Sequence, residues 1–213
     1  VDLTLLVMRA FVQPRASRIA TLAFDGARAA AIHCASKRRR LAVKTLVAPY
    51  EVVSPRFGEA VVDPVELSAS AAERELARER FQLSSDVRWV GLAGAISQRK
   101  RPELVLEAAQ GVGNVGVFLA GPLDAESRLL VRRWRERGLL VVTADGYLSD
   151  RDLDLAVASL DALVVTHTNR GPSGMLAKAM SLGTFAIVGG APDLADVAAK
   201  WSSVAFLEDV SSK

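Results

Sequence analysis

Val87-Arg88-Trp89-Val90-Gly91-Leu92-Ala93-Gly94 is a short apolar run that stops on a glycine, and its reading decides the fold. A run of this length predicts a buried strand. The same unit recurs downstream. Val115–Gly121, Leu139–Thr143, Asp161–Thr166, Phe185–Val188 and Val204–Leu207 read as further short strands. Helical stretches separate them at 102–110, 124–137, 150–160, 171–182 and 192–200. Pro102 falls in a first turn, where proline is tolerated. Short apolar strands alternating with helices imply an α/β fold, a Rossmann-like parallel sheet with helices on both faces. Such sheets bind ligands beyond the carboxyl ends of their strands.

Upstream the pattern is less regular. Residues 16–31 have helical character, Ala31–Ala35 reads as a short strand, and Ser36 is placed to cap a second, basic helix. Pro49, Pro55 and Gly58 interrupt the chain, Glu59–Glu66 is extended, and 69–80 forms a charge-laced helix. Two parts follow: 1–63, and a Rossmann-like domain over 64–213. Val1 stands where an initiator methionine is usual, so further sequence is expected upstream.

Half of the 213 residues are hydrophobic, ample for a buried core and against disorder. The single cysteine, Cys34, has no partner for an internal disulfide. No apolar run approaches the roughly 20 residues that span a bilayer. Charge is uneven: 1–60 carry ten Lys/Arg against four Asp/Glu, whereas 61–213 carry seventeen against twenty. The basic part includes Lys37-Arg38-Arg39-Arg40. It reads first as a solvated helix face, with contact to anionic lipid head groups as the functional alternative. No aromatics interleave with it, which argues against a nucleic-acid stacking platform.

Two strand-to-helix loops carry candidate chemistry. In Gly94-Ala95-Ile96-Ser97-Gln98-Arg99-Lys100-Arg101-Pro102, three cations precede a helix start, a phosphate-binding arrangement or else a solvated basic loop. In Thr166-His167-Thr168-Asn169-Arg170-Gly171-Pro172-Ser173-Gly174-Met175, the glycines leave room for a ligand and the helix dipole favours a diphosphate. Lys178, one turn into that helix, leans back toward its start and is placed to reach the same anion. An ordinary capped helix is the alternative. There is no Walker sequence and no Gly-x-Gly-x-x-Gly after the first strand, so ordinary ATP or NAD binding loses ground.

Three stretches together resemble the retaining, family-4-like glycosyltransferases of the two-Rossmann-domain (GT-B) kind. Val90–Ala109 is similar to the family's G-R-(I/L)-S-x-x-K-x-x-x-L-L-x-A-A; Gly146-Tyr147-Leu148-Ser149-Asp150 with Leu153 and Ala156 resembles its G-x-(V/L)-x-D-x-x-L segment; and 171–187 resembles the block ending E-A-M-A-x-G-x-P-V. The resemblance covers 60–200. It implies that 1–63 is the end of an acceptor domain with the interdomain crossing, and that 64–213 binds a nucleotide-sugar donor. It also implies transfer of a sugar to a sugar or lipid-linked acceptor, in bacterial glycan or cell-surface polysaccharide synthesis, with no metal or other cofactor. A cytoplasmic location follows, with peripheral contact at the inner face of the membrane through the basic N-terminal part. By the same resemblance Lys100 neutralises the donor diphosphate and stabilises the leaving group. Ser173, Gly174 and Met175 offer hydroxyl and backbone N–H groups to the donor, and Tyr147 and Leu148 lie where the family holds the nucleobase. From the loops themselves, Gly94, Arg99 and Lys178 are further donor-binding candidates, Arg99 or Arg101 as a substitute for the arginine missing at 95, and His167 reads either as a donor contact or as backbone packing.

The departures are specific. Ala95 stands where the family has arginine. Arg170 and Lys178 stand where it has two glutamates, the second of which accepts from ribose hydroxyls; lysine offers no acceptor. Two alternatives therefore accompany the enzyme reading: a catalytically silent GT-B-like ligand-binding or scaffold protein, and a plain Rossmann-like nucleotide-binding module.

Overall fold

The computed structural model describes residues 3–7, 30, 34, 41–47, 59–62, 64–167, 173–190 and 192–207. The chain divides into two compact units, with the change at Pro64/Val65.

The smaller unit contains a parallel sheet of β1 (Leu3–Val7), β2 (Leu41–Val47) and β3 (Glu59–Val62), in that order. One upstream expectation is corrected here: Cys34 is helical, not part of a strand at Ala31–Ala35. The strand Leu41–Val47 was not anticipated, and the basic helix expected after Ser36 falls outside the described residues. Leu-Ala-Val-Lys-Thr-Leu-Val is rich in strand formers, and pairing with β1 on one side and β3 on the other settles it. The run Lys37–Arg40 lies outside the described residues.

The larger unit follows the expected alternation closely. Its elements are α1 (Arg74–Arg80), β4 (Arg88–Ala93), α2 (Pro102–Gln110), β5 (Val115–Ala120), α3 (Ala125–Glu136), β6 (Val141–Ala144), α4 (Asp150–Ala158), β7 (Ala162–Val165), α5 (Gly174–Ser181), β8 (Phe185–Gly189), α6 (Pro192–Lys200) and β9 (Val204–Leu207). All six strands are parallel, in the order β6-β5-β4-β7-β8-β9. The chain starts in the middle, winds outward to β6, then returns to the other side of β4. That reversal makes the gap between the carboxyl ends of β4 and β7 the topological switch point, where such sheets place their ligands.

Side chains alternate across the sheet. Leu92, Val117 and Leu119 face Val105, Leu106 and Ala109 of α2 and Val131 and Trp134 of α3. Phe118 points the other way, onto Phe81 after α1, with ring centroids 5.1 Å apart. Gly116 leaves space for Trp89, whose ring atoms would lie 2.6–2.9 Å from any added Cβ. At the amino ends of the strands, Asp161 gathers Arg74 (2.5 Å), Arg78 (2.8 Å) and the Trp89 N–H (2.7 Å), tying α1 to β4 and β7.

β6 lies at one end of the sheet. Leu140 and Ala144 offer their carbonyls to β5, so the Val141 carbonyl faces outward. Arg135 of α3 donates to it through Nε (2.9 Å) and to Thr143 Oγ1 through Nη2 (3.2 Å).

Candidate functional site

The loop after β4 is short and held at several points. Gly94 N–H donates to Ala120 O and Ile96 N–H to Pro122 O, so the loop is stitched to the end of β5. The two chains approach so closely that a Cβ on Gly121 would lie 2.5 Å from the Gly94 carbonyl oxygen. Gly94 itself has φ +80°, a conformation that side-chain-bearing residues rarely adopt. Gln98–Lys100 then form one 3-10 turn, and Thr166 Oγ1 at the end of β7 donates to the Lys100 carbonyl at 2.7 Å. Thr166 is buried, so this bond fixes the turn from the neighbouring strand.

That turn aims the Lys100 ammonium back over the end of β4. Nζ donates to the Ala93 carbonyl. A Cβ on Gly94 would sit 3.1 Å from Nζ and 3.8 Å from Met175 Sδ. Gly94, Lys100 and Met175 therefore converge at the switch point. Among the described residues no carboxylate pairs with Lys100. Burial, and secondarily the charge of Arg99, push its ammonium down to about pKa 8. A desolvated cation whose partner here is a carbonyl is an incomplete arrangement, and an anion completes it.

Helix α5 begins at Gly174 directly after Ser173, with open space around Gly174. Its first backbone N–H groups and its dipole add to the positive field. A fixed cation and helix start aimed at one point can hold a diphosphate and stabilise charge that builds on it as it leaves. His167 is half-buried at the carboxyl end of β7, next to Thr166. Tyr147 and Leu148 occupy the loop after β6, at the same end of the sheet; Tyr147 is 96% exposed. Asp145 braces that loop, accepting from Leu123 N–H (3.0 Å) and from Arg128 Nε (2.6 Å). Arg170 and Gly171 lie outside the described residues.

Two expected donor residues are placed elsewhere. Lys178 points into the domain. Its Nζ lies 2.5 Å from Asp154 Oδ1 of α4, which is fully buried, and 3.0 Å from the Glu66 carbonyl. The second Asp154 oxygen accepts from Ser68 N–H at 2.6 Å. Lys178 thus fastens the segment before α1 to α4 and α5, and its ammonium is committed. Arg99, close enough for its charge to act on Lys100, lines a cleft between α2 and α3. The sequence reading missed Asp154, Thr166 and the Ala93 carbonyl. Thr166 was within the quoted loop, but nothing in a threonine's neighbours announces a bond to residue 100.

Among the described residues no group of three or more His, Cys, Asp or Glu is gathered as for a metal, and no helix is long and apolar enough to cross a membrane.

Comparison with known proteins reveals likeness in structure alone. No family model matches the chain, and no curated protein matches it in sequence. Many solved structures do. WaaG, a glycosyltransferase involved in lipopolysaccharide biosynthesis, superposes with TM-score 0.63 at 15% identity over 92% of this chain. Sucrose-phosphate synthase from Thermosynechococcus elongatus gives 0.59 at 18% identity over 92%. Anabaena HepE, solved with UDP and glucose, gives 0.59 at 16% identity over 92%. The fold is that of the GT-B glycosyltransferases. The chain spans 52–55% of the length of these three proteins.

Proposed function

We propose that the larger unit binds the nucleotide-sugar donor of a glycosyltransferase, with the diphosphate on Lys100, Gly94 and the start of α5. The observation that carries this is the half-buried Lys100 ammonium, held over the end of β4 at the switch point of the sheet with no carboxylate beside it among the described residues. Tyr147 and Leu148 offer a surface for the base, and Ser173, Gly174 and Met175 supply hydroxyl and backbone N–H groups. His167 completes the rim. The reaction is transfer of the sugar to a sugar or lipid-linked acceptor, and glycan or cell-surface polysaccharide synthesis is the setting that suits it. The GT-B fold and the UDP held by HepE support the donor class. Residues 1–63 are proposed as part of the acceptor half and 64–213 as the donor half. We propose that no metal is needed, because Lys100 and the helix start supply the neutralising charge. Peripheral attachment at the inner face of a membrane, through the basic N-terminal part, belongs to the same proposal.

A catalytically silent, ligand-binding relative is the second reading. It is favoured by one observation: Lys178 is committed to Asp154, so no side chain at that position serves the ligand.

Calorimetric titration with UDP, GDP, ADP and their sugars, repeated with Lys100→Ala, tests the donor site. Saturable binding of one nucleotide, weakened about tenfold to a hundredfold by the substitution, is expected for a lost charged hydrogen bond. Undiminished binding in Lys100→Ala would remove the basis of the assignment. Binding without transfer, by the full-length protein and across an acceptor panel, would favour the silent reading.

A further inference from the structure

The three consecutive cations at 99–101 do not serve one site. The 3-10 turn sends Lys100 inward to the end of β4, while Arg99 and Arg101 line a cleft of about 620 Å³ between α2 and α3. Arg133 of α3 and Gln98 line it too, and Pro102, Leu129 and Leu130 give it apolar wall. Glu103, Glu126 and Ser127 complete the polar lining. A volume of this order is that of a small-molecule site.

Arg101 is the telling residue. It has φ 52° and ψ 54°, the left-handed conformation that costs a non-glycine residue stability. Glycine would serve the backbone better at this helix start. The arginine side chain is 21% exposed and forms an ion pair with Glu103 at 3.7 Å, longer than a good hydrogen bond. A strained backbone therefore holds a half-buried arginine in the cleft, in a loose ion pair with Glu103.

The lining has a mixed character that narrows the ligand. Guanidinium groups are suited to phosphate, which they bind in a fixed fork. Carboxylates and an amide oxygen accept from hydroxyls. Apolar walls pack against the C–H face of a ring. We propose that the α2–α3 cleft is a second ligand site that takes a phosphorylated sugar, its phosphate on Arg99, Arg101 and Arg133 and its hydroxyls on Glu103 and Glu126. The site is separate from the Lys100 cradle and does not depend on a nucleotide binding there.

Glucose 6-phosphate is the probe, titrated into the whole chain by calorimetry, with glucose and inorganic phosphate alongside. Glucose 6-phosphate is expected to bind saturably and more tightly than either fragment. Arg133→Gln should weaken it about tenfold or more, the usual effect of losing a charged hydrogen bond. Arg101→Gly should weaken it similarly while leaving the thermal midpoint unchanged or higher, because glycine relieves the strained backbone. Glu126→Gln should weaken the sugar phosphate more than inorganic phosphate. Three results would each overturn the proposal: no saturable binding to the folded wild-type chain, undiminished binding in Arg101→Gly and Arg133→Gln, or equal affinity for inorganic phosphate and the sugar phosphate. Binding to vesicles containing phosphatidylglycerol, lost in Arg133→Gln, with none to the sugar phosphate, would assign the cleft to a membrane surface instead.

Discussion

Replacing Lys178 by glutamate, the residue that the family pattern carries there, should damage this protein and not restore a lost contact. In the structure the Lys178 ammonium meets Asp154, which has no exposed surface, at 2.5 Å, and is itself only 17% exposed. Removing one member of such a pair costs about 3–5 kcal/mol, because the remaining charge is left buried. Lys178→Glu adds a second carboxylate beside the first, so the loss should reach at least that range. Against a typical total of about 5–15 kcal/mol, this is roughly a fifth or more of the stability. Urea unfolding followed by far-UV circular dichroism gives the measurement. Lys178→Met/Asp154→Leu provides the control that folds. It should recover all but about 1–3 kcal/mol, the cost of leaving the Ser68 N–H and Glu66 carbonyl without these partners. The double-mutant cycle built from Lys178→Met and Asp154→Leu should show coupling of at least about 2 kcal/mol. Single substitutions that each cost under about 1 kcal/mol, and simply add, would refute the reasoning and release Lys178 for a role at the ligand.

Two further outcomes follow from the same geometry. Gly116→Ala places a methyl group 2.6–2.9 Å from the Trp89 ring in the middle of the sheet. Overpacking of this kind costs about 1–3 kcal/mol, and near-UV dichroism of the tryptophan band should change with the lowered melting temperature. Lys100 is held down to about 8 in the folded chain, against an ordinary value of 10.5. Between those values the unfolded chain holds the proton that the folded chain has released, so stability contributed by this residue rises with pH across the window. Urea midpoints at about pH 7.5 and about pH 9.5 should therefore diverge more in the wild-type chain than in Lys100→Met. Nucleotide affinity should move oppositely, weakening as the ammonium is lost, and Lys100→Arg should flatten that fall.

Much of the larger unit was legible because its signals are local. Each strand is an apolar run with turn residues at its ends, and Gly94 and Gly121 mark where β4 and β5 finish. Lys100 was legible because a cation before a helix start has a plain chemical meaning. What escaped depends on contacts across the fold. Asp154 and Lys178 are 24 positions apart, on different helices, and Ser68 joins them from 86 positions before Asp154. A buried aspartate on an otherwise charge-laced helix gives no sign of its burial. The division of labour between Lys100 and its arginine neighbours was also hidden, because it arises from the rotation of a single 3-10 turn. β2 was missed because Lys44 and Thr45 interrupt its apolar run, and the strands that flank it, β1 and β3, are distant or short in sequence.

The guanidinium of Arg135 on the outer rim of β6 has a consequence for how the protein behaves in a crowd. An end strand offers open backbone groups to any passing chain and is where unwanted cross-β association begins. Here the outward Val141 carbonyl is already engaged, and by a bulky charged group that a second strand would have to displace. The cation serves as a gatekeeper built from the preceding helix, and its protection is independent of any ligand. Arg135→Ala should accordingly lower solubility at high concentration.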